Sequence, residues 1–177
     1  MNKLNKNIPK NWKWVTLNDI GIIVTGNTPT KKISEFYGHE IPFFKPTDLQ
    51  QGINVIEARE YLSKLATSVA RVIPKNSVMV TSIGSTIGKT GMSKKEGAIN
   101  QQINAIIPFI NSKYVYYYTI TNFFNDELIG KSSATTIPII NKSKFETISF
   151  PLAPIEEQNR IVDKIEELFS ELDSILD

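Results

Sequence analysis

IEEQNRIVDKIEELFSELDSILD, residues Ile155 to Asp177, carries the strongest periodicity in the chain. Ile155, Gln158, Val162, Ile165, Phe169, Leu172 and Leu176 recur at alternating spacings of three and four, the a/d seam of a heptad repeat. Ile161, Leu168 and Ile175 lie seven apart and form a second stripe beside it. The spacing predicts one long helix with an apolar face wider than a two-stranded seam requires. Two readings stay open: the helix docks on its own domain, or one stripe packs there while the other pairs with a partner helix.

The charge pattern separates this helix from what precedes it. Between Ala153 and Asp177 eight acids oppose two bases, a net charge of −6; the rest of the chain has 18 bases and ten acids, a net +8. A basic body carrying an acidic helix suits contact with a polyanion through the body, whereas lysines scattered for solubility give the same composition. At 177 residues with 41% hydrophobic and 21% charged residues, the chain has the size and composition of one folded domain plus an appended element. There is no cysteine, which excludes disulfides, thiolate chemistry and cysteine-ligated zinc. No apolar run suggests a signal peptide or a membrane span, so a soluble cytoplasmic protein is expected.

Ahead of the helix, short β-like runs alternate with turn signals: Gly21–Thr25, Ile41–Phe44, Val78–Ile83 and Ile103–Ile107. Ser112 to Gly130 reads as one helix with Ser112 as its N-cap, and Phe145–Phe150 as a further strand. Tyr114, Tyr117, Tyr118 and Phe124 at helical spacing read as core, with base stacking as the alternative.

TSIGSTIGKTGMS, Thr81 to Ser93, approaches a nucleotide-binding P-loop but has three residues between Gly84 and Gly88 where that motif has four. A cradle of consecutive N–H groups depends on that count, so no nucleotide is expected here. His39 is the single histidine, too little for a transition-metal site or a serine triad. Asp48, Glu57 and Arg59 imitate a nuclease pattern at a spacing common by chance. No N/D-P-P-Y/F clamp for a flipped base occurs. No catalytic residues, metal or cofactor are therefore expected. What remains is a set of polar loops: GNTPTKK (Gly26–Lys32), FKPTDLQQG (Phe44–Gly52), GSTIGKTG (Gly84–Gly91), INQQIN (Ile99–Asn104) and GKSSATT (Gly130–Thr136). Lysines and backbone N–H groups suit phosphates, and glutamine, asparagine, serine and threonine suit base edges. The same residues also make ordinary turns.

In order and spacing these segments resemble a half-length specificity subunit of a type I restriction-modification system. IPKNWKWVTLNDIG (Ile8–Gly21), GNTPT, IPFFKPTDL (Ile41–Leu49), VMVTSIGSTIGKTG (Val78–Gly91) and AINQQINAI (Ala98–Ile106) are each similar to segments of that family. PLAPIEEQNRIVDKIEEL (Pro151–Leu168) is the most specific, with Ala153 where the family has proline. The resemblance implies an α+β fold: a compact mixed target recognition domain with a twisted β-sheet over residues 1–153, then a long coiled-coil-type spacer and dimerisation helix over 154–177. It implies a non-catalytic subunit that binds double-stranded DNA and assembles with modification subunits and, through the complex, a restriction subunit. A second copy would supply the other half-site. Expected phosphate contacts are Lys31, Lys32, Lys45, Lys89 and Lys131. Expected base or positioning contacts are Thr28, Thr47, Ser85, Thr86, Gln101, Gln102, Ser133, Thr135 and Thr136. The alternative is a truncated module that binds no DNA and only occupies other subunits.

Overall fold

A computed structural model describes residues 7–133 and 137–176. Among the described residues ten strands and five α-helices follow one another in a mixed order. Strands β1 (Lys13–Thr16) and β10 (Ser149–Leu152) pair antiparallel and bring the two ends of the body together. An antiparallel sheet contains β2 (Gly21–Thr25), β9 (Ile103–Pro108), β6 (Val78–Thr81) and β7 (Thr90–Met92), in that order. A second sheet runs β4 (Tyr61–Leu62), β3 (Tyr37–Phe44), β8 (Gly97–Ile99) and β5 (Val72–Ile73), with β3 and β8 parallel.

Period-two alternation explains how these sheets stack. In β6, Val78 and Val80 join the large core cluster under the helices, while Met79 joins a second cluster with Phe44, Ile99, Ile103 and Ala105. Successive side chains of a strand point to opposite faces, so both faces of β6 are buried. The mixed sheet repeats the device: Phe44 and Ile99 face the second cluster, whereas Phe43 and Ala98 face a third with Leu62 and Ala66. The layers are helices, antiparallel sheet and mixed sheet.

On the helical side, α1 (Leu17–Ile20), α2 (Ser112–Thr119), α3 (Asn122–Lys131) and α4 (Lys142–Glu146) cover the first sheet. Two sequence expectations are corrected here. The span from 112 to 130 is broken by Thr121, whose hydroxyl caps α3 by accepting the Phe124 N–H, and Asn111 rather than Ser112 caps α2. Phe145 lies on α4 rather than in a strand, because Asn141 accepts the Lys144 N–H and starts a helical turn. The strand begins only at Ser149.

The tyrosines of α2 are core. Tyr114 and Tyr118 donate to the carbonyls of Pro151 and Ser149, both at 2.8 Å, which fixes α2 across β10. Burial, with the Glu157 charge behind it, pushes the Tyr114 hydroxyl up to about 12, and burial raises Tyr116 and Tyr118 as well. These folded-state values lie above the ordinary 10.0, so the native chain keeps protons that the unfolded chain releases. Stability from these groups is full below pH 10 and is lost as pH rises from there toward 12. Phenolate absorbance and circular dichroism, followed together, are expected to show these tyrosines ionising only as the fold is lost. Ionisation near pH 10 with the fold intact would contradict the packing.

Helix α5 (Ile155–Leu176) spans about 33 Å at 1.5 Å per residue. Its first half belongs to the body. Gln158 and Val162, expected on a pairing seam, are instead buried at 2% and 4% exposure, and Ile161 packs beside them. Gln158 donates to the Ala153 carbonyl at 2.8 Å and accepts the Asn111 N–H, which locks α5 to the cap of α2. Ile165 is half-buried, and Phe169 stacks on Tyr117 with ring centroids 6.3 Å apart. Ile155, Leu168, Leu172 and Ile175 are exposed; the Leu176 side chain lies outside the described residues. The division therefore falls along the helix rather than between its two stripes. After the exposed Ile155, the body runs beside the helix as far as Phe169, so Gln158, Ile161, Val162 and Ile165 of both stripes are covered or half-covered, and both stripes emerge beyond it.

Candidate nucleic-acid interface

The near-miss P-loop is the tip of the β6–β7 hairpin. Its N–H groups turn inward: Gly84 donates to Pro138, Ile87 to Gly84, Gly88 to Thr81 and Lys89 to Thr86. Gly84 and Gly88 take positive φ of 93° and 86°, the conformation glycine adopts at no steric cost. The segment then continues as a strand, whereas a P-loop opens a helix. This loop is not a phosphate cradle. Ser85 and Thr86 are exposed at its tip, and Lys89 is half-buried with no acidic partner among the described residues.

Long-range hydrogen bonds join this tip to other polar loops. Ile140 donates to the Ser82 carbonyl at 2.9 Å and Ser133 to the Ile139 carbonyl at 2.9 Å, attaching the segment after α3. Ser82 donates to the Gln102 carbonyl from both its N–H (2.7 Å) and its hydroxyl (3.0 Å), attaching the turn between β8 and β9. The Thr28 hydroxyl donates to Gln101, and Asn27 donates to Ile99 from its backbone N–H at 3.0 Å, attaching the loop after β2. Asn100 donates to the Phe44 carbonyl at 3.1 Å, attaching the start of the fifth loop. All five polar segments singled out in the sequence are thus one connected set.

Gly26 makes the closest of these junctions possible. A Cβ there would lie 2.1 Å from the Asn100 oxygen and 2.4 Å from that of Ile99, and both are backbone atoms. Gly26→Ala is expected to cost about 2 kcal/mol or more, at the upper side of overpacking losses, because neither carbonyl is free to move. Thermal denaturation checks it; a melting temperature equal to that of the unsubstituted chain would contradict the junction.

The expected contacts fall into distinct groups. Thr28, Lys31, Lys32, Thr47, Ser85, Thr86 and Gln101 are exposed, and Lys89, Gln102 and Ser133 are half-buried within the connected set. Thr135 and Thr136 lie outside the described residues. Lys45 is ion-paired with Glu60, and its ammonium sits 5.4 Å from the Phe43 ring centroid. Lys131 meets Thr147 at 3.2 Å and Glu127 at 3.5 Å. These two lysines are held by their own chain. Three residues not foreseen contribute: Asn27 holds the Val69 carbonyl and the Arg71 N–H at 2.8 and 2.7 Å, Arg71 is exposed beside it, and Asn100 is buried under Gln102. Only the polarity of their segments marks them in the sequence; their partners are remote along the chain.

The apparent nuclease triplet is spent on structure and solvent. Asp48, buried, accepts the N–H groups of Lys45 and Arg59 at 2.8 and 3.2 Å and so closes a turn. Glu57 is exposed and pairs with Lys95 at 3.0 Å; its bond from the Tyr61 hydroxyl holds its carboxyl below the usual range. Among the described residues no group of three His, Asp or Glu side chains is placed to hold a metal ion, and no helix is long and apolar enough to cross a membrane.

Scaffold and loops together define a three-layer domain whose polar loops, remote in sequence, are joined by hydrogen bonds. Residues 9–175 match the family described as the type I restriction modification DNA specificity domain, and the chain belongs to that family. It is 31% identical over 160 residues to the type I restriction enzyme MjaIX specificity subunit of Methanocaldococcus jannaschii, covering 87% of this chain and 37% of that one. It is 30% identical over 150 residues to the HindI specificity subunit of Haemophilus influenzae, covering 80% and 32%. The fold is also that of the HsdS subunit crystal structure from Thermoanaerobacter tengcongensis, with a TM-score of 0.75, 21% identity and coverage of 97% and 40%. The chain spans about a third of the length of the curated relatives it matches.

Proposed function

We propose that this chain reads one half of a split duplex DNA site and supplies the sequence address, not the chemistry, of a type I restriction-modification assembly. The observation that carries this reading is the hydrogen-bonded convergence of five polar loops, in a chain of this family. Residues 1–153 hold the DNA through phosphate contacts from Lys31, Lys32 and Lys89, while Thr28, Thr47, Ser85, Thr86, Gln101, Gln102 and Ser133 meet bases or position the loops. Residues 154–177 form the spacer. The exposed Leu168, Leu172 and Ile175, with Phe169 beside them, pair with the helix of a second copy, and the two-fold arrangement sets two half-sites in inverted orientation. The acidic residues of that helix keep it off the duplex and face modification subunits, through which a restriction subunit joins. A cytoplasmic location follows from that role.

Methylation mapping of the genome of cells that carry the chain tests this. The expected result is a motif of two short specified halves separated by an unspecified gap, lost when the chain is deleted. An unchanged methylation pattern after deletion would contradict it.

A further inference from the structure

The turn between β8 and β9 contains a device that decides which kind of base edge it accepts. Asn100 is 4% exposed, and its Oδ1 accepts the backbone N–H of Gln102 at 3.1 Å. A backbone N–H only donates, so this bond fixes which end of the Asn100 carboxamide is oxygen. Its Nδ2 then faces the Gln102 side chain and donates to Oε1 at 3.1 Å. A carboxamide nitrogen also only donates, so the orientation of Gln102 follows in turn. Ser82 holds the Gln102 carbonyl from behind with two bonds. Half-exposed Gln102 is left with its oxygen turned inward and its Nε2 hydrogens available. Gln101 is different, because its partner, the Thr28 hydroxyl, both donates and accepts and therefore fixes no orientation.

We infer that Gln102 is a specificity-determining residue that offers only N–H donors to a base edge, with Asn100 as its positioning residue. This rests on the DNA-reading function above. A glutamine using both ends pairs bidentately with adenine N6 and N7. Held in this orientation, Gln102 has no oxygen to offer the adenine or cytosine amino group. Its donors suit edges made of acceptors: guanine N7 and O6, or thymine O4.

Selection from a random duplex library by the full chain in its native assembly tests the assignment, comparing the unsubstituted chain with Gln102→Glu and Asn100→Asp. In Gln102→Glu one carboxylate oxygen takes the Asn100 bond and the other faces the DNA. In Asn100→Asp the new carboxylate still accepts the backbone N–H but has no hydrogen to give, so Gln102 turns its nitrogen inward and its oxygen outward. Both substitutions are expected to change one position of the selected site from guanine or thymine to cytosine or adenine. The change in preference is at least about fivefold, the low end of what a good base contact supplies. A merely structural role does not produce the same single-position exchange from two substitutions. Gln102→Glu lies at a half-exposed position and decides the matter alone if Asn100→Asp fails to fold. Identical sites for all chains, or a uniform loss at every position in Gln102→Glu, would overturn the assignment alone. No enrichment by the unsubstituted chain would overturn the DNA-reading function and this assignment with it.

Discussion

Replacing Lys31, Lys32 and Lys89 together with glutamine is expected to weaken binding to duplex DNA by roughly 500-fold at about 0.1 M salt. Each phosphate contact contributes about 0.9 to the slope of log affinity against log salt, so loss of three lowers that slope by about 2.7. The same arithmetic gives about eightfold per contact at that salt concentration. These lysines are selected because no acid of the described chain neutralises them. Lys45 and Lys131 provide the contrast, since Glu60 and Glu127 already balance them. Their replacement is expected to change the salt slope by much less than one each. Titrations at several salt concentrations measure both quantities; an unaltered slope in the triple variant would show that these lysines do not face phosphate.

A second large effect separates the two halves of α5. Val162→Asp replaces a 4% exposed member of the main core cluster with a carboxylate, on a cavity that Lys94 and Lys113 also line. Loss of the buried valine and desolvation of the new carboxylate cost about 3 kcal/mol with those lysines offsetting part of the charge, which for a chain of this size lowers the melting temperature by on the order of 10 °C. Leu172→Asp, at a side chain 55% exposed, is expected to change stability by less than about 0.5 kcal/mol and to abolish self-association. Thermal melting at low concentration and sedimentation at high concentration distinguish the two. Equal destabilisation by both substitutions would mean that the body covers the entire helix. Unchanged self-association in Leu172→Asp would mean that its exposed end is not the pairing surface.

How much of this was legible in the sequence depended on the range of the interactions. The long helix was visible because its period is local, and the P-loop was excluded by counting one missing residue. Strands β2, β6 and β9 were visible from apolar runs bounded by turns. The break at Thr121 and the helical turn at Lys142–Glu146 were missed although Thr121 and Asn141 are ordinary N-caps, because the apolar pattern on either side suggested continuity. The sharing of α5 between body and solvent could not be read from the heptad. A repeat states which residues share a face, not how far the neighbouring surface extends. The five loops were recognised one at a time, but their assembly depends on bonds such as Thr28 to Gln101 and Ser82 to Gln102, across 73 and 20 residues. No local pattern encodes these pairings. The separate roles of Asn100 and Gln102, both plain members of a polar run, likewise depend on which of the two is buried.

In the proposed function, loops remote in sequence form one surface on DNA while the far end of the helix stays clear of it. Hydrogen exchange on the full chain with and without bound duplex tests this most directly. Simultaneous protection is expected in residues 26–32, 82–89 and 99–104, with residues 168–175 unchanged by the duplex. Protection confined to a single loop, or centred on 168–175, would contradict it.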